Sequence, residues 1–204
     1  MSLENEIFQN CPNCGSEQKV RYYQSVNITL QPELKNKVLS GKLNTNTCSN
    51  CDKEIDLISG FLYHDMQNRI MLELAFEDGN DDSGKNEIIN NLIQQGYIYR
   101  KTNEYGRLIE KINIFDNKLN DLIIQDISIK MKEMLDESIK NVQEENEDFN
   151  FTVIFNKMES GLFKKKISFH CFSHPSQIME IKYDLKNLNS TDKKNLHNID
   201  VLRS

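Results

Sequence analysis

The sequence predicts an α+β fold: an N-terminal β domain with an inserted short helix, then a helical segment, then a C-terminal β-hairpin. Three observations carry this. Two C-x-x-C pairs, Cys11 with Cys14 and Cys48 with Cys51, are flanked by segments in which apolar residues partly alternate. Apolar residues recur from Leu119 to Val142 at steps of mostly three to four, the spacing of one helix face. Two apolar runs, 149–156 and 162–172, flank Met158-Glu159-Ser160-Gly161 in the manner of a hairpin.

The chain has 204 residues, 38% hydrophobic and 27% charged. That suffices for one domain with appendages or for two small domains. A net charge of −6 counts against a generic electrostatic binder of nucleic acid or membranes. No apolar run approaches the ~18 residues of a membrane span. The polar start, MSLENEIFQN, lacks the apolar stretch of a secretory signal, so the expected location is cytoplasmic. Charge is uneven: −2 over residues 1–76, −8 over 77–148 and +4 over 149–204. These spans are the expected divisions: a cysteine-bearing β domain, an acidic linker with a mainly helical segment, and a C-terminal hairpin with a short helix.

Taken in order, residues 20–30 read as extended chain. A short helix follows, with Pro32 at its start, Leu34, Val38 and Leu39 on one face, and Gly41 as the stop. A brief strand leads into Cys48. Ile55, Leu57 and 61–63 read as strand leaving the second pair, and Ile70, Leu72, Leu74 and Phe76 alternate as another. Residues 77–84 read as a solvated linker; Asp78, Asn80 and Asp82 fit three positions of a calcium loop, but Ile89 stands where the bidentate Glu is needed. Residues 88–93 form a short amphipathic helix ended by Gly96, and 97–101 a further strand. The long helix of about 25 residues follows. Its stripe reads as core packing, with part of it open to a dimer or partner interface. Asn189 to Asp192 holds cap candidates for a last short helix.

The cysteine pairs carry the chemistry. Thirty-three residues separate them, and two such pairs fit a four-thiolate structural Zn2+ site, one ion per chain. Pro12 pre-sets the first turn, and Gly15 follows where positive φ is favoured; Asp52 holds the same place in the second turn. A disulfide framework and a redox dithiol are the competing readings. The missing secretory signal counts against the first. Strand-like rather than helical sequence after Cys14 counts against the second. Four thiolates close the coordination shell, so the ion would hold the fold rather than run a reaction. Two cysteine knuckles on adjacent hairpins make a zinc ribbon, with the short helix inserted between its halves.

Cys11-Pro12-Asn13-Cys14-Gly15, then Val26-Asn27-Ile28-Thr29-Leu30-Gln31-Pro32-Glu33-Leu34, then Leu39-Ser40-Gly41-Lys42-Leu43-Asn44, then the second pair and Leu62-Tyr63-His64-Asp65, form an ordered series. It resembles the bacterial CpXC domain over residues 7–76, with a weaker echo through Glu110-Lys111-Ile112 and Asp121-Leu122-Ile123-Ile124. The resemblance implies a zinc-ribbon-like fold and Cys11, Cys14, Cys48 and Cys51 as ligands. The sequence departs from the family pattern at Ser49, usually Pro, and Asp52, usually Gly. The resemblance speaks to fold and not to function.

Three other features carry candidate chemistry. His64 and Asp65 are neighbours on a strand and point to opposite faces, so Asp65 is expected to cap a turn rather than pair with His64. Cys171 alternates with Ile167 and Phe169 and is expected as a buried free thiol, although Cys171 and His174 have metal-like spacing. Lys164-Lys165-Lys166 reads as a charged run that blunts an edge strand, or as a phosphate contact. No phosphate loop, nucleophile elbow or HExxH is present, and no catalytic residue is assigned. The expectation is a non-enzymatic interaction or adaptor module with an unknown protein partner or a homodimer. The alternatives are a nucleic-acid-binding ribbon and an enzyme with an unrecognised site.

Overall fold

In the computed structural model, which describes residues 1–76, 83–140, 151–160, 165–173 and 177–203, the chain begins on a strand. β1 (Leu3–Asn10) pairs antiparallel with β2 (Glu17–Asn27), and Cys11 and Cys14 lie in the turn between them. α1 (Glu33–Leu39) buries Leu34 and Val38, and Gly41 follows at φ 72° as the expected stop. β3 (Thr45–Thr47) and β4 (Glu54–Asp56) form a second antiparallel hairpin, whose turn carries Cys48 and Cys51. β5 (Phe61–Asp65), β6 (Ile70–Leu74) and β7 (Ile98–Thr102) complete a five-stranded sheet in the order β1-β2-β5-β6-β7. α2 (Ser83–Gln94) precedes β7 and ends before Gly96, at φ 80°.

The sheet is mixed. β2 runs parallel to β5, with Val26 opposite Tyr63, and β6 runs parallel to β7, with Leu72 opposite Arg100. All five residues of β6 are buried, so the alternation read from the sequence does not separate a wet face from a dry one. The strand expected across residues 55–63 is two strands, β4 and β5, in different sheets. β3 is not laddered to β2. Asn44 and Asn46 instead accept from the N–H groups of Tyr23 and Arg21, each at 2.9 Å, and Asn46 returns its amide to the Arg21 carbonyl. Two side chains thus satisfy the backbone edge that a strand would otherwise cover.

The chain divides into two units, Met1–Ile109 with Arg203 and Glu110–Leu202. In the second, the latter part of α3 (Tyr105–Asp116) leads through Lys118, at φ 54°, into α4 (Asp121–Lys140). The long helix therefore starts later than its apolar stripe, after Asn120. The Asn120 side chain accepts from the N–H of Leu122 at 3.1 Å and caps it. Ile123, Ile124 and Ile127 of α4 join one core with Val153, Phe155 and Phe169. Core packing thus accounts for that face of the stripe, whereas Leu122, Ile129 and Met134 stay exposed.

The expected C-terminal hairpin is a three-stranded antiparallel sheet. β8 (Thr152–Ser160) and β9 (Lys165–Ser173) pair antiparallel, but β8 runs through Met158, Glu159 and Ser160, which the sequence pattern places between the strands and which ladder with Ile167, Lys166 and Lys165. β10 (Gln177–Asp184) adds a third strand in the order β10-β9-β8. β9 is thus the central strand, so Lys165 and Lys166 do not blunt an edge; Lys164 lies outside the described residues. Phe155 and Phe169 meet edge-on at 6.2 Å, worth about 0.5–1.5 kcal/mol beyond their burial. On the edge strand β8, the N–H of Phe155 donates to the buried Glu110 carboxylate at 2.7 Å. α5 (Ser190–Asn195) is the expected last helix; Asn189 caps it by accepting from the Asp192 N–H at 2.8 Å.

Candidate metal centre

Each cysteine turn is built the same way. In the first, the Gly15 N–H reaches back to the Cys11 carbonyl at 2.9 Å and the Cys11 N–H donates to the Ser16 carbonyl at 2.9 Å. In the second, Asp52 donates to Cys48 at 3.0 Å and Cys48 to Lys53 at 2.9 Å. Gly15 and Asp52 both hold positive φ, as their place in the motif predicts. The turns project two sulfurs each to one side, and the four Sγ atoms lie within 4.8 Å of one another. Cys11 and Cys48 are buried with Val20 and Ile55 beneath them, while Cys14 is exposed.

Two contacts define the cluster's shape: Cys11 Sγ lies 3.8 Å from Cys51 Sγ, and Cys14 Sγ lies 3.7 Å from Cys48 Sγ. A tetrahedral thiolate site with metal–sulfur bonds near ~2.3 Å has sulfur–sulfur edges of about 3.8 Å. All five cysteines are free thiols, and these separations are far beyond a disulfide bond. The donor set fits a soft-to-borderline divalent ion. The four cysteines could hold one metal ion.

The surroundings are rich in donors. The Cys11 sulfur accepts from the N–H groups of Cys14 and Asn13, which pull its pKa down; burial and the neighbouring Cys48 and Cys14 thiols outweigh them and push it up to about 11. The Ser16 hydroxyl, 3.0 Å away, is the largest influence on Cys14, followed by the Asn50 amide at 3.5 Å; together with the Ser16 N–H they hold it down at about 5. Burial raises Cys48, but the N–H of Asn50, the Ser16 hydroxyl and the N–H of Cys51 bring it below the usual thiol value. Asn13 gives its amide to Cys51 Sγ at 3.5 Å. Gln18 ties the turns together: it donates to Ser16 Oγ at 3.0 Å and accepts from the Ser49 N–H at 3.1 Å and hydroxyl at 2.9 Å. The Ser49 N–H is a donor that a proline at this place would lack.

The other sequence candidates lie apart from the cysteines. Asp65 accepts from the N–H of Asn68 at 3.0 Å and caps its turn, as expected. His64 faces Tyr97, with Nε2 3.2 Å from the phenol oxygen, and burial holds its pKa below the ordinary value. Cys171 is fully buried in the core of the second unit, and burial raises its pKa. His174 and the calcium-like residues Asp78, Asn80 and Asp82 fall outside the described residues. The outer donors Asn13, Ser16, Gln18 and Asn50 were not singled out from sequence, though the shared asparagine in CPNC and CSNC is a visible signal. Among the described residues no helix is long and apolar enough to cross a membrane.

Comparison with known proteins adds one finding. The family model described as CpXC protein matches residues 10–127, more than half of the chain. No curated protein and no solved structure matches it.

Proposed function

The chain belongs to the CpXC protein family, and from that premise we propose that it is a non-enzymatic structural-zinc protein, a zinc ribbon serving as an interaction or adaptor module. The observation that supports this most is the closure of the site. Four sulfurs within 4.8 Å of one another are enough to fill a tetrahedral shell, which would leave no position at which an ion could activate water. Cys11, Cys14, Cys48 and Cys51 would hold the ion, and its contribution is to folding. Zinc is favoured because it takes four thiolates without redox change. Leu122 and Ile129, seven residues apart on the exposed side of α4, are where a protein partner or second copy would be sought. The test is native recovery of the full chain with and without nuclease, with metal content measured. One zinc per chain and a protein partner surviving nuclease support the reading. Nucleic acid whose removal abolishes recovery would favour a nucleic-acid-binding ribbon instead.

A further inference from the structure

We propose that Asn13 and Asn50 are positioning residues of the metal centre, each using its side-chain amide to hold the last cysteine of the opposite knuckle and to lower that sulfur's donor strength. This rests on the metal reading above. The two residues occupy the same place, directly before the last cysteine of each C-x-x-C. Asn13 Nδ2 donates to Cys51 Sγ and Asn50 Nδ2 donates to Cys14 Sγ, both at 3.5 Å. The contacts are crossed: each spans from one turn to the other.

The division of labour explains why side chains are needed. The first cysteine of each turn, Cys11 or Cys48, accepts from N–H groups inside its own turn, and Cys48 also has the Ser16 hydroxyl of the opposite turn at 3.6 Å. The last cysteine also takes an amide from the other turn. Four thiolates around a divalent ion leave two surplus negative charges, which nearby donors stabilise through charge-assisted hydrogen bonds. Outer partners of this kind orient ligands and tune the ion. A sulfur relieved of its amide becomes a stronger electron donor and a better nucleophile. Cys14 is the most exposed of the four cysteines, so its sulfur is the one most open to attack once the Asn50 amide is removed.

The experiment uses the full chain loaded with Co2+ and, separately, with Zn2+, comparing wild type with Asn13→Ala, Asn50→Ala and the size-matched Asn13→Asp and Asn50→Asp. The sulfur-to-cobalt charge-transfer band should move to lower energy in each variant. Zinc affinity by chelator competition should fall by ~10- to 100-fold. Zinc release by N-ethylmaleimide should quicken, most in the Asn50 variants. A merely structural role would not shift the band. Wild-type uptake of one metal, with an unchanged band and affinity in all four variants, would overturn this inference and leave the metal reading standing. Wild type that binds neither ion would overturn both.

Discussion

Gly15 and Asp52 occupy one and the same backbone position in the two cysteine turns, at φ 72° and 56°, and each sends its N–H back to the carbonyl of the first cysteine. Only glycine enters this region without a steric cost, and aspartate tolerates it better than most residues. Asp52→Gly should therefore stabilise the first unit by about 1 kcal/mol and leave metal binding intact. Denaturant unfolding of the metal-loaded protein would register this as a higher midpoint with an unchanged slope.

Cys48 is fully buried between the two turns, beside Val20 and Ile55. Cys48→Ser should abolish stoichiometric zinc and open residues 7–76 to protease. Structural zinc supplies roughly 10–16 kcal/mol in small domains, so the effect should be all-or-none. Equal protease protection with and without metal would refute a folding role for the ion.

His64 is drawn below its ordinary value of 6.5, first by burial. The folded state thus favours the neutral ring. The stability this contributes is complete above the unfolded value and is lost as pH falls through the lower folded one. NMR titration should place His64 below 6.5, and His64→Gln should flatten the acid side of the stability profile. A midpoint at or above 6.5 would contradict this.

Gly60 lies so close to β6 that a Cβ there would sit 2.5 Å from the carbonyl oxygen of Leu74. Backbone cannot swing aside as a side-chain tip can. Gly60→Ala should cost roughly 1–3 kcal/mol, read as a melting temperature lower by several degrees.

Local signals in the sequence reached local structure. Cysteine spacing marked both turns, Pro32 and Gly41 bracketed α1, and Asn189 marked the cap of α5. β1 was invisible for a physical reason: Leu3 and Phe8 remain exposed, so the strand is held by its ladder to β2 and shows no buried face. The start of α4 is hidden in the sequence because Leu119, buried in the core just before the helix, continues its apolar spacing; the break is made by the backbone at Lys118 and the cap at Asn120. The parallel pairings of β2 with β5 and β6 with β7 join distant segments, and no local pattern encodes that register. The crossed asparagines were spelled out twice, but their meaning appears only when the two turns face each other.

The place of β7 bears on how this protein can be dissected. β6, reading Ile-Met-Leu-Glu-Leu, is covered on its outer side only because β7 lies along it. A fragment cut at residue 76, where composition changes, would strip that neighbour and leave a mostly apolar strand as a bare sheet margin. Such margins recruit other chains, so the fragment should precipitate or form ladders of copies, and its association would say nothing of the intact protein. A fragment carried past Thr102 keeps the margin closed.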